Sequence, residues 1–404
     1  MPEPLPRIRM NLDFMPSPSP EHPGLFIRDP YKYSDAMLVI PPPLVECLQC
    51  FDGQQTELDL RAALVRITGE LDVGELQQNL IGTLSKAGFL EDAEMERMQA
   101  ERKREFTAAT VREPAHAGSA YPDEAEEVNE MMREYMGGVE PPEPDGLFAI
   151  AAPHVSPEGG WQSYRAAYGM LRPEHKDRTF VILATSHYGE PEKFGLTRKA
   201  FRTPLGDAQP DTALVNWLAK RGGAGVEMED YCHSFEHTVE LQVIFLQHML
   251  GADVRILPVL VGGFAHSIYK GGMPEDDDKV RAFFDALSEL REREGDKLFW
   301  VMGVDMAHMG ARYHDRFAAT AGQGEMEEVA SRDEQRIERI NALDAGGFWE
   351  LVRERQDDLK WCGSSPFYTF LKTAPKARGE LLSYEQWNID ENSVVSFAGM
   401  GFRK

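Results

Sequence analysis

Cysteine and basic residues are both scarce in this sequence, and each shortage argues against one class of protein. Four cysteines among 404 residues are too few for a disulfide scaffold, which favours a reducing cytoplasm. The 43 lysines and arginines are outnumbered by 67 acidic residues, so the formal net charge is −24. Nucleic-acid binding needs clustered basic residues, and we therefore expect no nucleic-acid partner.

Long apolar runs are also missing. No run approaches the roughly 20 apolar residues that a membrane span requires, so we expect no membrane partner. Residues 1–27 are rich in proline and lack the apolar core of a signal peptide. We expect them to form a disordered or loosely draped lead-in. Hydrophobic residues still make up 42% of the chain, which is enough for a full-sized core.

Residues 28–95 are predicted to form a small α-rich, winged-helix-like domain. A strand at 37–40 precedes three helices, which we place at 44–51, 58–67 and 73–87. This order resembles the PqqD-type peptide-recognition domains found beside radical SAM enzymes, which implies a peptide or a radical SAM enzyme as partner. Cys47 and Cys50 form a lone CxxC, which without a second pair favours apolar packing over zinc.

The rest of the chain alternates between strands and helices. After a linker at 96–111, residues 112–404 are predicted to form an α/β domain with a mostly parallel central sheet flanked by helices. The predicted strands are 147–152, 179–185, 254–261, 298–304 and 394–400. The predicted helices are 123–136, 163–172, 211–221, 234–250, 276–294, 327–343 and 348–359.

Three histidines each stand at the end of an apolar run of this domain. They are His154, His187 and His308, after the runs that begin at Phe148, Phe180 and Phe299. Ligands of open α/β sheets collect outside the carboxyl ends of the strands, so these imidazoles are expected to converge. Asp305, three residues before His308, could orient an imidazole or serve as an acid or base.

The helix predicted at 234–250 carries further candidates. Ser234 is expected to be its N-cap, which places Glu236 and His237 in the first turn. His237 and Glu240 are three residues apart and can share one helix face. The opposite side is apolar and should pack on the sheet, so the polar first turn could point into the cleft.

Cys362 differs from the other cysteines in its local sequence. It lies in the segment WCGSSP, at 361–366, just before a helix predicted at 367–372. A cysteine at a helix N-terminus tends towards the thiolate form. Thiolate is a good ligand for a soft or borderline metal ion, which makes Cys362 a candidate metal ligand.

A set of short segments in a fixed order resembles the Memo family, and specifically the bacterial Memo-like proteins of the AmmeMemoRadiSam system. The segments are AGSAYP (117–122), PH (153–154), TSH (185–187), RTPL (202–205), EHTVE (236–240), LPVLVG (257–262), DMAH (305–308), CG (362–363) and 393–399. The resemblance covers about residues 112 to 404. It implies a fold similar to class III extradiol, non-haem iron dioxygenases.

The resemblance also implies a metal site and its lining. The implied ligands are His154, His187 and Cys362, and the implied lining residues are Asp305, His308 and His237. Family members are associated with iron or copper, and ligand type alone leaves zinc open as well. A dioxygenase would use a carboxylate where this chain has Cys362, and an oxidisable thiolate at that position counts against dioxygenase chemistry.

Three functions remain open from the sequence. The first is a redox enzyme holding Fe²⁺ or copper, in which His308 or His237 moves protons and Asp305 sets the imidazole tautomer. The second is a non-catalytic metal-binding or peptide-binding scaffold whose N-terminal domain recruits a partner. The third is a zinc hydrolase with Glu240 or Asp305 as general base on a metal-bound water.

Overall fold

The computed structural model describes residues 3–140 and 146–404, and the chain divides into two compact units. The first unit is Met1–Ala108 and the second is Ala109–Lys404. The division falls inside the predicted linker 96–111, most of which belongs to a helix of the first unit. No helix among the described residues is both long and apolar enough to cross a membrane.

The first unit combines a three-stranded antiparallel sheet with helices. Its strands are β1 (Asp13–Pro16), β2 (Leu25–Arg28) and β3 (Met37–Ile40), in that spatial order. Its helices are α1 (Pro42–Val45), α2 (Glu57–Thr68), α3 (Gly74–Lys86) and α4 (Ala93–Ala108), and Glu46–Cys50 forms a 3₁₀ turn. Cys47 and Cys50 lie in the apolar core of this unit, as the sequence favoured. The likeness to PqqD-type domains stays a prediction.

The expectation of a loosely draped lead-in is wrong for most of residues 1–27. β1 pairs with β2 over its whole length, and Leu5 and Leu12 are buried in the core of the first unit. Arg9 is also buried, and its guanidinium forms two hydrogen bonds to the carboxylate of Asp29, of 3.0 and 3.1 Å. The apolar side chains spaced between the prolines have a core to enter, which composition alone does not reveal.

The second unit is built on a large mixed sheet whose centre is parallel. Its strands are β4 (Val111–Arg112), β5 (Leu147–Ala152), β6 (Thr179–Thr185), β7 (Phe194–Leu196), β8 (Ala200–Thr203), β9 (Gly206–Pro210), β10 (Val226–Met228), β11 (Arg255–Val261), β12 (Leu298–Gly303), β13 (His308–Gly310), β14 (Arg378–Asp390) and β15 (Ser393–Arg403). The main order is β13-β15-β5-β12-β6-β11-β9-β8-β4. Strands β5, β12, β6 and β11 are mutually parallel and almost wholly buried, as their apolar runs predicted.

Helices cover this sheet. They are α5 (Ala125–Met136), α6 (Pro157–Tyr168), α7 (Thr212–Gly222), α8 (His237–Leu250), α9 (Ala265–Lys270), α10 (Asp278–Glu294), α11 (Glu325–Asn341), α12 (Ala345–Arg353) and α13 (Ser364–Thr373). The α/β class with a mostly parallel sheet flanked by helices is therefore confirmed. The helix predicted at 163–172 begins six residues earlier and ends at Tyr168, because Pro157 is pre-organised for the first helical position. Gly159 lies in its first turn against the ring of Trp387, where a Cβ would clash.

The carboxyl-terminal strand differs from the prediction. We expected a strand at 394–400 in a mostly parallel sheet, and β15 is longer and runs antiparallel to β5. The preceding strand β14 was not predicted, and it pairs with β15 as a long hairpin. The hairpin arises because only two residues separate β14 from β15, which leaves no room for the crossover that a parallel pair needs.

The buried ion pair of Arg9 and Asp29 makes a testable prediction about the first unit. Replacing Asp29 with Ala leaves a buried guanidinium uncompensated, so we expect a loss of about 3–5 kcal/mol in the stability of this unit. The measurement is hydrogen-exchange protection of the amides in α2 and α3. As a control, Asp35→Ala removes the exposed partner of Arg102 and should cost only about 0–1 kcal/mol. Equal losses in the two variants would contradict the prediction.

Candidate metal centre

His154 is presented at the carboxyl end of β5 with one ring nitrogen already engaged. Its Nδ1 lies 3.0 Å from the carbonyl oxygen of Gly303, the last residue of the neighbouring strand β12. Nδ1–H therefore donates to that carbonyl, which leaves the Nε2 lone pair free for another partner. The side chain is buried, and burial together with the nearby His187 and His237 holds the pKa of His154 well below its ordinary value.

A single carboxylate, Glu236, orients the other two imidazoles. Nδ1 of His187 lies 3.1 and 3.2 Å from the two oxygens of Glu236, and Nδ1 of His237 lies 3.0 Å from one of them. Each imidazole can thus donate Nδ1–H to Glu236 and keep Nε2 free. The Glu236 carboxylate also accepts the backbone N–H groups of His187 and His237, at 2.9 and 3.0 Å.

These contacts correct the expected start of the helix. Ser234, the predicted N-cap, ends a 3₁₀ turn over Tyr231–Ser234, and α8 begins only at His237. Glu236 is the N-cap, because its side chain accepts the backbone N–H of His237. The capping carboxylate therefore also serves the histidines, which no spacing rule for helix caps would indicate.

Charge balance within this cluster follows from the same contacts. Burial alone would raise the pKa of Glu236, but the imidazoles of His187 and His237 hold it well below its ordinary value. Burial alone would lower the pKa of His187, but Glu236 and Cys362 raise it well above its ordinary value. The opposite shifts of the two pKa values have one cause, the close contact between the His187 imidazole and the Glu236 carboxylate.

The three imidazoles converge on one point. His154, His187 and His237 each offer a ligand nitrogen, and these atoms lie within 4.8 Å of one another. The ring centroids are 5.1 Å apart in every pair. The side chains of His187 and His237 are 28% and 30% exposed, whereas His154 is buried, so the cluster opens to solvent on one side. This donor set fits a transition-metal ion with room for a further ligand.

Cys362 lies beside this cluster. Its Sγ is 3.3 Å from Nε2 of His154 and 3.6 Å from the carbonyl oxygen of Asp305. Of the implied ligands, His154 and His187 belong to the convergent group, whereas Cys362 contacts His154 from outside it. His237, implied only as a lining residue, is the third convergent imidazole. Burial raises the pKa of the Cys362 thiol, against a hydrogen bond from His187 that lowers it, so burial outweighs the expected thiolate tendency.

Asp305 approaches the cluster from the loop after β12. Its Oδ1 accepts the backbone N–H of His154 at 2.8 Å, and its Oδ2 lies 3.4 Å from Nε2 of that imidazole. Burial raises the pKa of Asp305 to about 7, although the backbone N–H groups of His154 and Val155 act to lower it. Asp305 can therefore gain or lose a proton near neutral pH. The imidazole tautomers are set instead by the Gly303 carbonyl and by Glu236.

His308, which the sequence placed at the end of a strand, instead begins the short strand β13 and does not belong to the convergent group. Its Nδ1–H donates to the carbonyl of Met306 at 2.9 Å, and its ring packs edge-on against Tyr313. Burial lowers the pKa of His308 to about 4, so its imidazole is neutral at pH 7. Its place in the site is taken by His237, which comes from a helix rather than from a strand.

Glu240 faces a different set of partners. Its carboxylate pairs with Arg112, accepts the hydroxyl of Tyr121, and accepts the backbone N–H groups of Ala115 and His116 at 3.2 and 3.1 Å. These four donors occupy its lone pairs and fasten the segment 112–121 to α8. We therefore give Glu240 a structural role, in place of the general-base role that the sequence suggested.

The Glu240 clamp predicts a pH-dependent stability. Burial alone would raise the pKa of Glu240, but Arg112 holds it below its ordinary value. Stability from this charge is therefore present above the ordinary carboxyl pKa and is lost as the pH falls through the lowered one. We expect Glu240→Gln to cost about 3–5 kcal/mol in urea unfolding at pH 7, and much less in acid.

A matched substitution controls for the loss of one acidic charge. The exposed Glu113 pairs with Arg202 at 2.9 Å, and Glu113→Gln should cost only about 0–1 kcal/mol at either pH. A Glu240→Gln penalty that is the same at pH 7 and in acid would show that the charge is not what holds the segment.

Comparison with known proteins places this geometry in a family. Residues 112–401 match the family model described as Memo-like protein. A MEMO1 family protein of Aquifex aeolicus (strain VF5) is 24% identical over 380 residues, which cover 93% of this chain and 95% of that protein. A MEMO1 family protein of Methanosarcina barkeri is 27% identical over 296 residues, which cover 72% of this chain and 99% of that protein.

A solved structure shows a much weaker similarity. It is the uncharacterized protein JW3007 from Escherichia coli K12, which is 12% identical, with a TM-score of 0.37 and coverage of 63% of this chain and 99% of that one. That similarity supports no conclusion about the site. The family match covers nearly all of the second unit and every residue of the candidate metal centre. On this evidence, the chain belongs to the Memo-like protein family.

Proposed function

We propose that this chain binds a redox-active metal ion, iron or copper, at His154, His187 and His237, with Cys362 as a further ligand. The observation that carries the proposal is the state of the ring nitrogens. Every Nδ1 of the three imidazoles has an oxygen partner, and the ligand atoms that the histidines offer lie within 4.8 Å of one another. Rings oriented in this way are typical of metal-bound histidines.

The donor set limits the choice of metal. Imidazole suits iron, copper and zinc, and a neighbouring thiol favours copper(I), zinc or iron over the hard cations. Bound iron or copper would supply one-electron and O₂ chemistry, as the dioxygenase-like fold expected from the sequence suggests. The zinc hydrolase is the weaker alternative, since Glu240 is saturated by other donors and only Asp305 remains as its general base.

The remaining site residues would manage protons. Asp305 lies within 3.4 Å of His154 Nε2 and has a pKa of about 7, so it can hold or release a proton beside the ligands. The pKa of His308 is about 4, which keeps its imidazole neutral at pH 7 and makes it only a weak base. Together with the solvent-facing side at His187 and His237, these groups favour a catalytic site over a purely structural one.

The proposal predicts which substitutions remove the metal. We expect His154→Ala, His187→Ala and His237→Ala each to abolish stoichiometric metal in protein purified without air, because each removes a convergent imidazole. Glu236→Gln should weaken metal binding about 10- to 100-fold, because an amide cannot accept Nδ1–H from two imidazoles with the same geometry. The measurements are elemental analysis and competition titration with a chelator.

One control separates ligands from other histidines. His248 lies on the same helix as His237, outside the convergent group, and His248→Ala should leave the metal content unchanged. Cys362→Ala tests whether the thiol is a ligand or only a neighbour. Unchanged metal content in all three convergent-histidine variants would refute the site.

We further propose that the first unit recruits a protein partner, in line with a link to the AmmeMemoRadiSam system and to a radical SAM enzyme or peptide. The match to the Methanosarcina relative covers 72% of this chain and 99% of that protein, so a relative can lack a counterpart of this unit. The face of its sheet opposite Ile27 aligns Met15, Phe26 and Val39 across the three strands, and Met37 is 68% exposed. An apolar row of this kind favours docking of a protein partner.

We also propose a location for the protein. The four free cysteines support a reducing cytoplasm.

The two units should be separable in function. Residues 109–404 alone are expected to bind metal with the stoichiometry of the full chain, because every proposed ligand lies in the second unit. Elemental analysis of the fragment beside the full chain provides the measurement, with circular dichroism to verify folding. A folded fragment without metal would show that the first unit contributes to the centre.

A further inference from the structure

The loop that carries Cys362 is hydrogen-bonded to a buried carboxylate. Trp361, the residue before Cys362, is buried, and its indole Nε1–H donates to Oδ1 of Asp333 at 2.7 Å. Asp333 lies on α11 and is itself fully buried. Burying a carboxylate costs free energy unless hydrogen bonds satisfy its oxygens. The partners that satisfy Asp333 therefore indicate what this residue does.

The loop itself is strained. Gln356, Asp357 and Lys360 have φ angles of 53°, 52° and 53°, a region that residues with side chains seldom occupy. Such conformations persist only where the surroundings over-determine them. Here Arg336, one turn after Asp333 on α11, pairs with Asp357 at 2.9 Å, and its guanidinium carbon lies 5.1 Å from the centre of the Trp361 ring. The strain is therefore held in place from α11.

The other oxygen of the same carboxylate connects, through Ser396, to the loop that carries Asp305. Oδ2 of Asp333 accepts the hydroxyl of Ser396 at 2.6 Å. That hydroxyl accepts the backbone N–H of Ala307 at 2.9 Å, and the Ser396 carbonyl accepts the N–H of Met306 at 2.8 Å. The backbone immediately after Asp305 is thus fastened to β15 and, through Ser396, to Asp333.

The two loops meet at the metal centre. The backbone N–H of Gly363 donates to the carbonyl of Asp305 at 3.0 Å, and the same carbonyl lies 3.6 Å from Sγ of Cys362. The third donor to Asp333, the hydroxyl of Tyr384 at 2.8 Å, leads away from the site to Gln386. Two of the three hydrogen bonds on this carboxylate therefore end at the two loops that flank His154.

We infer that Asp333 is a positioning residue for the metal centre, which sets where Cys362 Sγ lies relative to Nε2 of His154 and to Asp305. The inference rests on the proposed function, because it concerns how the thiol is delivered to the metal. It assigns Asp333 no contact with the metal ion. When its hydrogen bonds to Trp361 and Ser396 are lost, the strained loop relaxes, and the thiol no longer reaches the ion that the histidines hold.

The test uses the full chain and cobalt(II) alone as the probe, under anaerobic conditions. Cobalt bound by thiolate gives a near-ultraviolet charge-transfer band, and the intensity of that band per bound ion reports the Cys362 bond separately from the imidazole bonds. Cys362→Ser defines the signal without a thiolate. His187→Ala tests the proposed function independently of the inference.

Four variants probe Asp333 and its hydrogen bonds. Trp361→Phe and Ser396→Ala each remove one of the two hydrogen bonds that lead to the site. Asp333→Asn alters the acceptor itself. Tyr384→Phe removes the third donor, which leads away from the site. We expect Trp361→Phe and Asp333→Asn to lose most of the charge-transfer intensity per bound cobalt and to bind it about 10- to 100-fold more weakly. Ser396→Ala should act in the same direction, and Tyr384→Phe should match the wild type.

Two results would overturn the inference. One is a wild-type band and wild-type affinity in folded Trp361→Phe, which remains informative even where Asp333→Asn fails to fold. The other is an equal loss in Tyr384→Phe, which would point to general loosening of the hydrogen-bond cluster. Failure of the proposed function looks different, because wild-type protein would then bind no cobalt, or His187→Ala would bind it as well as the wild type.

Discussion

The buried carboxylate of Glu236 is the interaction on which the candidate metal centre depends. It caps α8 and lies within hydrogen-bond distance of Nδ1 of both His187 and His237, so it orients two imidazoles from separate elements. His187 follows the end of β6 and His237 begins α8, so their relative position is set by how the helix packs on the sheet. A carboxylate shared between them fixes that relation at the site itself.

A second buried carboxylate, that of Glu240, also fixes the position of α8. Glu240, one turn beyond Glu236 on the same helix, is buried with Arg112 and fastens the segment 112–121 to it. Two acidic residues four positions apart therefore do different work, one at the imidazoles and one in a structural clamp. Their sequence context is similar, and what separates them is the set of donors that each one faces.

Much of the fold was predictable because buried parallel strands carry a strong local signal. The strands at 147–152 and 179–185 were predicted with their observed bounds, since each is a short apolar run with polar residues or glycine around it. The hairpin of β14 and β15 was only half predicted. The burial of β14 is intermediate along most of its length, so it lacks the apolar run by which β15 was found. The first strand, β1, was hidden by the prolines around it.

The sequence by itself determined that His154 and His187 follow the carboxyl ends of two buried strands of one sheet, because apolar runs specify parallel strands and their carboxyl ends share an edge. Only the tertiary structure decided that His237 completes the group and that His308 stays outside it. That choice depends on where α8 and the loop after β12 pack, and such contacts join residues far apart in the chain. Cys362 was identified by its local sequence, but its distance of 3.3 Å from His154 is set by long-range packing.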